Sequence, residues 1–572
     1  MYFLALATDY DGTLATHGVV DDATLEAMQA FKATGRRLIL VTGRDLPDLL
    51  RVFPQADLFD LIVAENGALI YEPATERERC IAPAPPPHFV EALQRRNVSP
   101  LTVGRSIVAT WEPNEMAVLE AIRELGLELQ IIFNKGAVMV LPAGVNKAFG
   151  LTAALEELDL SAPNVVGVGD AENDHAFLRM CGCAATVANA LPALHEQADL
   201  RLVADHGAGV VELMQRIMRE DGHMVPPRRS GLLVGIDRGG REVYLAPQRG
   251  GVLIAGSSGI GKSTLAIALT ERMLEKELEF CIFDPEGDYS QLETAICIGD
   301  AHMVPNEAEA LALLRKRAAN VVINTQAYDP AERPDFFAAM LPQLLSLRAS
   351  SGRPHWLIID EAHHVLGAAR DNVGQFLPEN VQATILITVH PEAVAAEALK
   401  AVRSVLALGE AAADTLGKFC RAIGVAPPPP SPPLRIGEVL YFDLDAGGPP
   451  RPVQAIKPRQ LLNRHVRKYA EGKLGEDISF YFRGPDNRLK LRAYNLVLFA
   501  EMAEGVDPQT WEYHRHAGDY SSWFRKVIKD DELAREAAAI EADTGLDAEQ
   551  SRTGILAAIS RRYTAPASGS HI

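Results

Sequence analysis

The amino-acid sequence predicts an α/β protein built from two successive open sheets and a small, mostly helical carboxy-terminal part. Apolar strands alternate with helical patterns over residues 1–220, which is typical of a doubly wound parallel sheet. In a second region, 230–457, the glycine-rich loop GVLIAGSSGIGKST at 251–264 joins an apolar strand to an amphipathic helix. From 458 to 572 the pattern becomes helical and aromatic. We therefore expect three domains with these boundaries.

Composition narrows the class of protein. The chain has 572 residues, 48% of them hydrophobic and 23% charged, enough for several buried cores. A formal net charge of −19 excludes nonspecific coating of nucleic acid, so any nucleic-acid site must be a local basic patch. The six cysteines form no CxxC pair and no zinc spacing, which indicates a reducing compartment. The start, MYFLALATDYDG, predicts a strand rather than a signal peptide, and apolar runs such as ATILITV are too short to span a membrane. We expect a cytoplasmic protein.

Two strand ends of the first region carry polar residues suited to phosphate chemistry. The buried strand in FLALATDYDGTL ends in Asp9 and Asp11, whose spacing aims both carboxylates to roughly the same side. Paired carboxylates can hold Mg²⁺, which prefers oxygen ligands and leaves room for a substrate phosphate. The strand in GRRLILVTGRDL ends in Thr42 and Gly43, where a hydroxyl and free amides could bind a phosphoryl oxygen.

Two later motifs complete the set. GVNKAFGL places Lys147 at the start of a helix, and NVVGVGDAENDHAF is a strand that ends in Asp170, with Asp174 four residues on. In a doubly wound sheet the carboxyl ends of the strands meet at one edge, so these residues and the earlier pair should form one site.

In this order the four motifs closely resemble those of the haloacid dehalogenase (HAD) superfamily, and AENGALI at 64–70 resembles its Cof-like, type IIB sugar-phosphatase branch. The resemblance implies a Rossmann-like HAD domain with a small α+β cap. It also implies that Asp9 attacks phosphorus to form an aspartyl-phosphate, and that Asp11 is the general acid and base. It assigns the magnesium ligands to Asp9, Asp11 through its backbone, and Asp170, with Asp174 in support, and the neutralisation of phosphoryl charge to Thr42 and Lys147.

The cap is expected from about 85 to 142, in the order helix, strand, helix, strand, strand. Arg105, Glu112 and Asn134 are candidates for selecting the leaving group of the substrate. The alternative, which we favour, is that they are ordinary surface residues on a small sheet.

The second region carries a phosphate loop. Its glycines let backbone N–H groups turn toward a β-phosphate, Lys262 reaches the β- and γ-phosphates, and Ser263 is placed to ligate Mg²⁺. The residues expected to bind ATP are Gly256, Ser257, Ser258, Gly259, Ile260, Gly261, Lys262, Ser263, Thr264 and Asp360.

Residues after the phosphate loop favour hydrolysis. The strand in HWLIIDEAHHVL ends in Asp360, suited to the water shell of Mg²⁺, and Glu361, suited to activate a water as catalytic base. The strand ATILITVH ends in Thr388 and His390, where a polar residue could sense a γ-phosphate. FDPEGDYS follows a further strand at Asp284.

This set resembles the HerA/FtsK group of additional-strand, RecA-like P-loop ATPases. The HerA-like pumps are DNA-translocating rings with an amino-terminal barrel, whereas here the HAD-like region occupies that place, which leaves translocation open. A homo-oligomer, including a ring, is one expectation from the resemblance. Arg370 and Arg403 are candidates for arginine fingers, although a surface salt bridge is the interpretation we favour for each. IGEVLYFDLD, after a proline-rich loop, predicts a strand pair that closes the sheet.

The third part has a local basic and aromatic stretch. Nine basic and four acidic residues lie between Arg459 and Arg492, and five aromatic residues lie among or just after them, ending with Tyr494. Such a stretch at 459–494 could bind a single nucleic-acid strand by charge and stacking, but a small helical domain with an aromatic core is the interpretation we favour. His514 and His516 lack further metal-ligand spacing, so we expect no zinc site.

The preferred functional interpretation is a magnesium-dependent phosphatase for a phosphomonoester substrate, fused to a P-loop ATPase. One alternative is a nucleic-acid end-processing kinase and phosphatase. The other is an ATP-switched assembly module that regulates a sugar-phosphate phosphatase.

Overall fold

A computed structural model describes residues 1–134, 136–368, 373, 382–459, 479–528 and 530–563. The chain forms two compact units, Met1–Arg459 and Gln460–Ile572. The first unit contains both predicted sheets. Among the described residues, no helix combines the length and apolarity that crossing a membrane requires.

The first sheet has eight strands, of which six are parallel and two antiparallel. Their spatial order is Leu200–Arg201, Cys183–Thr186, Val165–Gly169, Ala5–Thr8, Arg37–Val41, Leu61–Ala64, Leu69–Glu72 and Arg77–Cys80. Helices Asp22–Ala33, Leu46–Val52, Lys147–Glu157, His175–Met180, Pro192–His195 and His206–Glu220 complete this domain. Its central strands are buried on both faces, which explains their continuous apolar runs. The doubly wound topology is confirmed.

The cap is a four-stranded antiparallel sheet with two helices, inserted between the last strand of the first sheet and Lys147. In chain order its elements are Pro87–Arg95, Thr102–Val103, Val108–Trp111, Glu115–Leu125, Leu129–Asn134 and Ala137–Pro142. The expected order lacked the two-residue strand Thr102–Val103, which is exposed and too short to give a periodic signal. One face of the cap sheet packs on its helices, and the other packs against Ala68 of the first domain through Ile107, Met139 and Leu141.

The second sheet has eleven strands. Their spatial order is Glu242–Leu245, Leu232–Asp237, Arg451–Ala455, Glu438–Asp443, Val402–Leu408, Gly251–Ala255, Thr384–Thr388, Trp356–Ile359, Phe280–Asp284, Val321–Asn324 and Ile296–Ile298. The last seven are parallel, and the first four extend the sheet in antiparallel pairing. Its helices are Lys262–Glu275, Glu307–Leu314, Arg333–Ser351, Ala362–Val365, Ala396–Lys400 and Ala412–Ala422.

The predicted strand pair that closes this sheet is confirmed, as Glu438–Asp443 and Arg451–Ala455. The hairpin Leu232–Asp237 and Glu242–Leu245 was not predicted. It follows the short helix Pro227–Ser230, which lies in the proline- and arginine-rich segment between the two sheets.

The second unit consists, in its described part, of a hairpin and a group of helices. The hairpin strands are Phe480–Phe482 and Leu491–Ala493, and the helices are Leu496–Gly505, Pro508–Ala517, Asp519–Trp523, Phe524–Ile528, Asp531–Ala542 and Ala548–Tyr563. Aromatic side chains fill its core, including Phe480, Phe482, Phe499, Trp511 and Tyr520.

Two aromatic residues of the candidate nucleic-acid stretch, Phe480 and Phe482, are therefore core residues and not free for base stacking. Tyr481 and Tyr494 instead lie beneath the guanidinium groups of Arg483 and Arg492. Five further members of this stretch lie outside the described residues, namely Arg464, Arg467, Lys468, Tyr469 and Lys473. His514 is buried, with Nδ1 2.7 Å from Asp519 and Nε2 accepting the backbone N–H of Arg483.

Candidate active sites

Asp9, Lys147 and Asp174 form a buried charged group at the carboxyl edge of the first sheet. Asp9 follows strand Ala5–Thr8, and Lys147 is the first residue of helix Lys147–Glu157. Lys147 Nζ donates to Asp9 Oδ1 and to Asp174 Oδ1, each at 2.5 Å. All three side chains are at least nine-tenths buried, so the ammonium bridges two carboxylates away from bulk water.

Asp170 completes this group. It follows strand Val165–Gly169, the neighbour of Ala5–Thr8, and its Oδ1 accepts from the hydroxyl of Thr13 at 3.1 Å. Asp174 Oδ2 accepts the backbone N–H groups of Asp170 and Ala171 at 2.8 and 3.0 Å, which closes the loop between the two aspartates. One oxygen from each of Asp9, Asp170 and Asp174 lies within 4.8 Å of the others.

The electrostatics of the group suit a cation. Burial raises the pKa of Asp9 to about 8, and Asp174 acts in the same direction, whereas Lys147 opposes the rise. Burial alone would lower the pKa of Lys147, but Asp174 and Asp9 outweigh it and raise that pKa. Three buried carboxylates with one ammonium leave negative charge uncompensated, and an all-oxygen donor set fits Mg²⁺.

Asp11 does not join that group. Its carboxylate accepts two hydrogen bonds from Arg44, Nε to Oδ2 at 2.6 Å and Nη2 to Oδ1 at 2.7 Å. Arg44 also binds Asp48, and these acidic partners raise the pKa of the guanidinium despite its burial. Arg44 was not predicted as a site residue, although it directly follows Thr42 and Gly43 in the TGR motif.

Thr42 is buried and directly follows strand Arg37–Val41, the parallel neighbour of the strand that precedes Asp9. Its Oγ1 accepts the backbone N–H of Arg44 at 3.2 Å. The cap sheet covers this loop, because a methyl group on Gly43 would lie only 3.5 Å from Met139 Sδ.

Glu65 fastens the cap to the first domain. Its buried carboxylate accepts the backbone N–H groups of Arg105, Ser106 and Ile107 at 2.7–3.1 Å. The sequence analysis missed this residue, and only its position in the AENG motif could have suggested a role.

Two of the three candidate cap residues have other surroundings. The side chain of Arg105 pairs with Glu78 at 3.0 Å, and Glu112 is exposed. Asn134 differs, because its Oδ1 is buried with no hydrogen-bond partner among the described residues. Asn134 and Ile132 lie on the same strand face, and Ile132 is the cross-strand partner of Met139, so Asn134 belongs to the face that covers the Thr42 loop.

The phosphate loop of the second sheet follows strand Gly251–Ala255 and ends where helix Lys262–Glu275 begins. Gly259 and Gly261 have φ values of +74° and +102°, a region that side-chain-bearing residues rarely adopt. Lys262 Nζ donates to the carbonyls of Gly256 and Ser257 at 3.0 and 3.1 Å, so the ammonium lies inside the loop. Ser263 and Thr264 lie in the first turn of the helix.

Strand Thr384–Thr388 lies between the strand of the phosphate loop and strand Trp356–Ile359, which is the arrangement expected of additional-strand ATPases. Asp360 follows the latter strand, is buried, and accepts the backbone N–H of Glu361 at 2.9 Å. Burial, Asp288 and Glu361 raise its pKa well above the ordinary value.

Glu361 has a left-handed backbone, φ +42°, and its carboxylate lies 3.3 Å from Nδ1 of His363. The same nitrogen lies 3.0 Å from Thr388 Oγ1, which also accepts the backbone N–H of His390 at 3.1 Å. Burial lowers the pKa of His363 to about 4, with the positive groups His364, His390 and Lys262 acting in the same direction. The sequence analysis missed His363, which connects Glu361 to Thr388.

Asp284 supports the adjoining loop, since its buried carboxylate accepts the backbone N–H groups of Glu286, Asp288 and Tyr289 at 2.8–3.3 Å.

Arg403 donates to the carbonyls of Lys400 and Val402 and lies 3.5 Å from Asp445, which is the salt-bridged surface role favoured from the sequence. Arg370 lies outside the described residues.

Family models match both regions. A model described as haloacid dehalogenase-like hydrolase matches residues 6–121 and 119–214, and a model described as the central domain of helicase HerA matches residues 248–348. These matches confirm the two resemblances and the fold class: the chain contains a phosphatase domain of the HAD type and a P-loop ATPase domain of the HerA type.

Individual relatives match the haloacid dehalogenase-like part of the chain. A phosphoglycolate phosphatase from Methanothermobacter thermautotrophicus is 29% identical over 232 residues, which is 37% of this chain and 98% of the relative. One from Halorubrum lacusprofundi is 30% identical over 210 residues, 35% of this chain and 90% of the relative. A haloacid dehalogenase-like hydrolase from Bacteroides thetaiotaomicron, 18% identical with a TM-score of 0.34, covers 38% of this chain and 99% of its own.

Proposed function

Because the chain belongs to the haloacid dehalogenase-like hydrolases through residues 6–214, we propose that it is a magnesium-dependent phosphomonoesterase that also hydrolyses ATP at a separate site. The observation that carries the phosphatase part is the buried group of Asp9, Lys147 and Asp174 with Asp170 beside it.

The metal in this proposal is held by Asp9 and Asp170, with Asp174 in support and Asp11 contributing its backbone carbonyl. Mg²⁺ would supply positive charge to the phosphoryl oxygens and lower the cost of bringing a dianion to a site lined by carboxylates. The raised pKa of Asp9 is consistent with this fit, because burial and the neighbouring Asp174 both disfavour the carboxylate anion, and a bound cation would stabilise it.

The chemical steps are assigned to side chains of this chain. The carboxylate of Asp9 attacks phosphorus, the bond from phosphorus to the leaving oxygen breaks, and Asp11 gives that oxygen a proton. Water then attacks the aspartyl-phosphate while Asp11 takes a proton from it, the bond from phosphorus to Asp9 breaks, and phosphate leaves. Lys147 and Thr42 hold the phosphoryl oxygens throughout, where Lys147 offsets their charge.

Small phosphorylated hydroxy acids are the first substrates to test, because the relatives described above are phosphoglycolate phosphatases. The close approach of Met139 to Gly43 supports a small leaving group. Asn134 lies on this face of the cap, and its Oδ1, which has no hydrogen-bond partner among the described residues, could accept a hydrogen bond from the substrate.

The P-loop domain is assigned ATP hydrolysis, with Lys262 and the loop amides on the phosphates and Ser263 and Asp360 near Mg²⁺. Glu361 is the proposed base for the attacking water, and its contact with His363 supports an orienting role for that ring. Water as nucleophile separates this proposal from a kinase, which would need a hydroxyl acceptor in the same place.

Phosphate release from a panel of phosphoglycolate, sugar phosphates, nucleotides and nucleic-acid ends, each with and without ATP, tests both parts. Release from a small phosphomonoester that requires Mg²⁺, together with separate ATP hydrolysis, is the expected outcome. Activity confined to nucleic-acid ends would favour end processing instead.

A second candidate function, action on nucleic acid, is favoured by one observation: the matching family model is that of a helicase. The basic stretch 459–494 would supply the contact, and assembly into a homo-oligomeric ring would be expected in that case.

A further inference from the structure

The phosphatase and P-loop domains meet through the amino ends of their strands, whereas both candidate sites lie at the carboxyl ends. On the phosphatase side the contact precedes strand Val165–Gly169, and on the P-loop side it precedes strand Trp356–Ile359. Ser161 Oγ lies 2.9 Å from His355 Nε2, and both residues are buried. We call this region, residues 156–164 and 352–355 with the segment 227–231 beside it, the interdomain contact.

The two segments 156–164 and 352–355 approach each other closely in this contact. Gly352 has φ +82°, and a methyl group at this position would lie 2.0 Å from Asn164 Oδ1. A side chain at 352 would displace the side chain of Asn164, whose Nδ2 donates to the carbonyl of Tyr2, so this close approach favours glycine.

One connection runs from Lys147 to Asp360. Helix Lys147–Glu157 begins at the catalytic lysine and ends at the interdomain contact, where Asp159 is hydrogen-bonded to Arg353. Three residues after Arg353 begins strand Trp356–Ile359, which ends immediately before Asp360 and Glu361. A second ion pair, Arg317 to Glu156 at 2.7 Å, joins the last turn of the same helix to the P-loop domain.

A second connection runs from Asp174 to the phosphate loop. Helix His175–Met180 follows Asp174, and at its other end the carbonyls of Arg179 and Cys181 accept from Arg229 Nη2 at 3.0 and 2.9 Å. The carbonyls of Arg228 and Arg229 in turn accept from Lys276 Nζ, both at 2.9 Å. Lys276 caps helix Lys262–Glu275, whose first residue is the lysine of the phosphate loop.

Both connections share one design. A helix or strand carries a catalytic group at one end and a polar contact with the other domain at its opposite end. Helices and strands move as stiff bodies, so a shift at one catalytic end is felt at the interdomain contact. The Asp159–Arg353 pair is poorly suited to a purely structural role, because Nε and Nη1 of the buried Arg353 have no hydrogen-bond partner among the described residues.

We propose that the interdomain contact couples the two sites, so that nucleotide bound at the phosphate loop changes the rate of the phosphatase and a phosphoryl group at Asp9 changes nucleotide affinity. This rests on the proposed function. The two effects are reciprocal by thermodynamic linkage when both are measured as binding, and couplings of this kind are about 5- to 150-fold.

Two readouts test the coupling in the full-length protein. The first is phosphatase kcat and KM with and without a non-hydrolysable ATP analogue. The second is the affinity for that analogue with and without beryllium fluoride, which mimics a phosphoryl group on a carboxylate. In the wild type, the ATP analogue should change the phosphatase rate, and beryllium fluoride should change the affinity for the analogue, each by at least about fivefold. The change in rate should lie mainly in kcat, because the interdomain contact is connected to Lys147 and Asp174 and not to the cap.

In Asp159→Asn, the ratio of phosphatase rates with and without the analogue, and the ratio of analogue affinities with and without beryllium fluoride, should both be close to one. Each basal activity should be unchanged, because Asp159 is an exposed partner of Arg353 and not part of either site. Arg229→Gln tests the second connection in the same way, with a thermal melt to verify folding. Asp414→Asn is the matched control, an exposed aspartate near Lys418 and Arg421 on helix Ala412–Ala422, and should keep the wild-type coupling.

Ratios near one in the wild type would overturn the proposal, as would full coupling in both Asp159→Asn and Arg229→Gln. A wild type without phosphatase turnover would contradict the proposed function instead, and the coupling that rests on it would be refuted with it, whereas turnover without coupling would overturn the coupling alone.

Discussion

Arg44 donates two parallel hydrogen bonds to the carboxylate of Asp11, Nε to Oδ2 at 2.6 Å and Nη2 to Oδ1 at 2.7 Å. Such two-pronged pairs fix orientation as well as charge. The proposed acid and base, Asp11, is therefore oriented by a residue two positions after Thr42, the proposed phosphoryl ligand.

The first prediction concerns this pair. Arg44→Ala should lower phosphatase kcat about tenfold with a smaller change in KM, because Asp11 loses its orientation but keeps its carboxyl group. Arg44→Lys should restore only part of the rate, since an ammonium cannot make the parallel pair. Asp11→Asn should cost more, about 10²- to 10⁴-fold. Steady-state kinetics on one phosphomonoester measure all three, and an Arg44→Ala enzyme with wild-type kcat would remove Arg44 from the account.

The second prediction concerns the phosphate loop. Lys262→Ala should lose nucleotide binding, because its ammonium is the cation of the loop. Glu361→Gln should bind ATP and hydrolyse it about 100-fold more slowly, since it lacks the base. Glu309→Gln, an exposed acid on helix Glu307–Leu314 away from the phosphate loop, is the control. Nucleotide titration and ATP hydrolysis are the measurements, and a Glu361→Gln protein that hydrolyses ATP at the normal rate would exclude the catalytic base.

The third prediction follows from the low pKa of His363, about 4 against an ordinary 6.5. In the unfolded chain this ring is protonated below about pH 6.5, whereas in the folded chain it stays neutral down to about pH 4. The free energy of unfolding therefore falls as the pH falls through this range. In His363→Gln the loss of melting temperature between about pH 7.5 and pH 5 should therefore be smaller than in wild type. His390→Gln is the control, since its ring is more than half exposed. Equal losses in His363→Gln and wild type would refute the lowered pKa of His363.

The fourth prediction concerns nucleic acid. If the basic stretch is a contact, binding should weaken steeply as salt rises, because phosphate contacts release counterions. Replacing Arg464, Arg467 and Lys468 with alanine should then reduce both binding and any stimulation of ATP hydrolysis. Filter binding at several salt concentrations measures this. An intact protein without salt-sensitive binding to DNA or RNA would leave the P-loop domain as a switch for a metabolite phosphatase.

Much of each candidate site could be predicted because its residues follow apolar strands, and the carboxyl ends of parallel strands meet at one edge. Asp9, Asp170 and the phosphate loop are of this kind. Local pattern also predicted the closing strand pair. At Phe480 and Phe482 the favoured interpretation, an aromatic core, agrees with the structure, where the two side chains alternate with Tyr481 as in a half-buried strand.

What the sequence could not predict are contacts between residues far apart in the chain. Asp159 and Arg353 are separated by 194 positions, and neither lies in a motif. The hydrogen bonds that Glu65 accepts from the cap join residues at least 40 positions apart, and they depend on the backbone conformation of residues 105–107. Only three-dimensional packing reveals such partners, because propensity and periodicity describe a chain's local structure alone.

The most direct test of the central claim is phosphate release from phosphoglycolate and related small phosphomonoesters in Mg²⁺ by wild type, Asp9→Asn and Lys262→Ala. We predict release by wild type and by Lys262→Ala, and none by Asp9→Asn, which should still hydrolyse ATP because the two sites lie in different domains. Phosphatase activity that survives in Asp9→Asn would contradict the account.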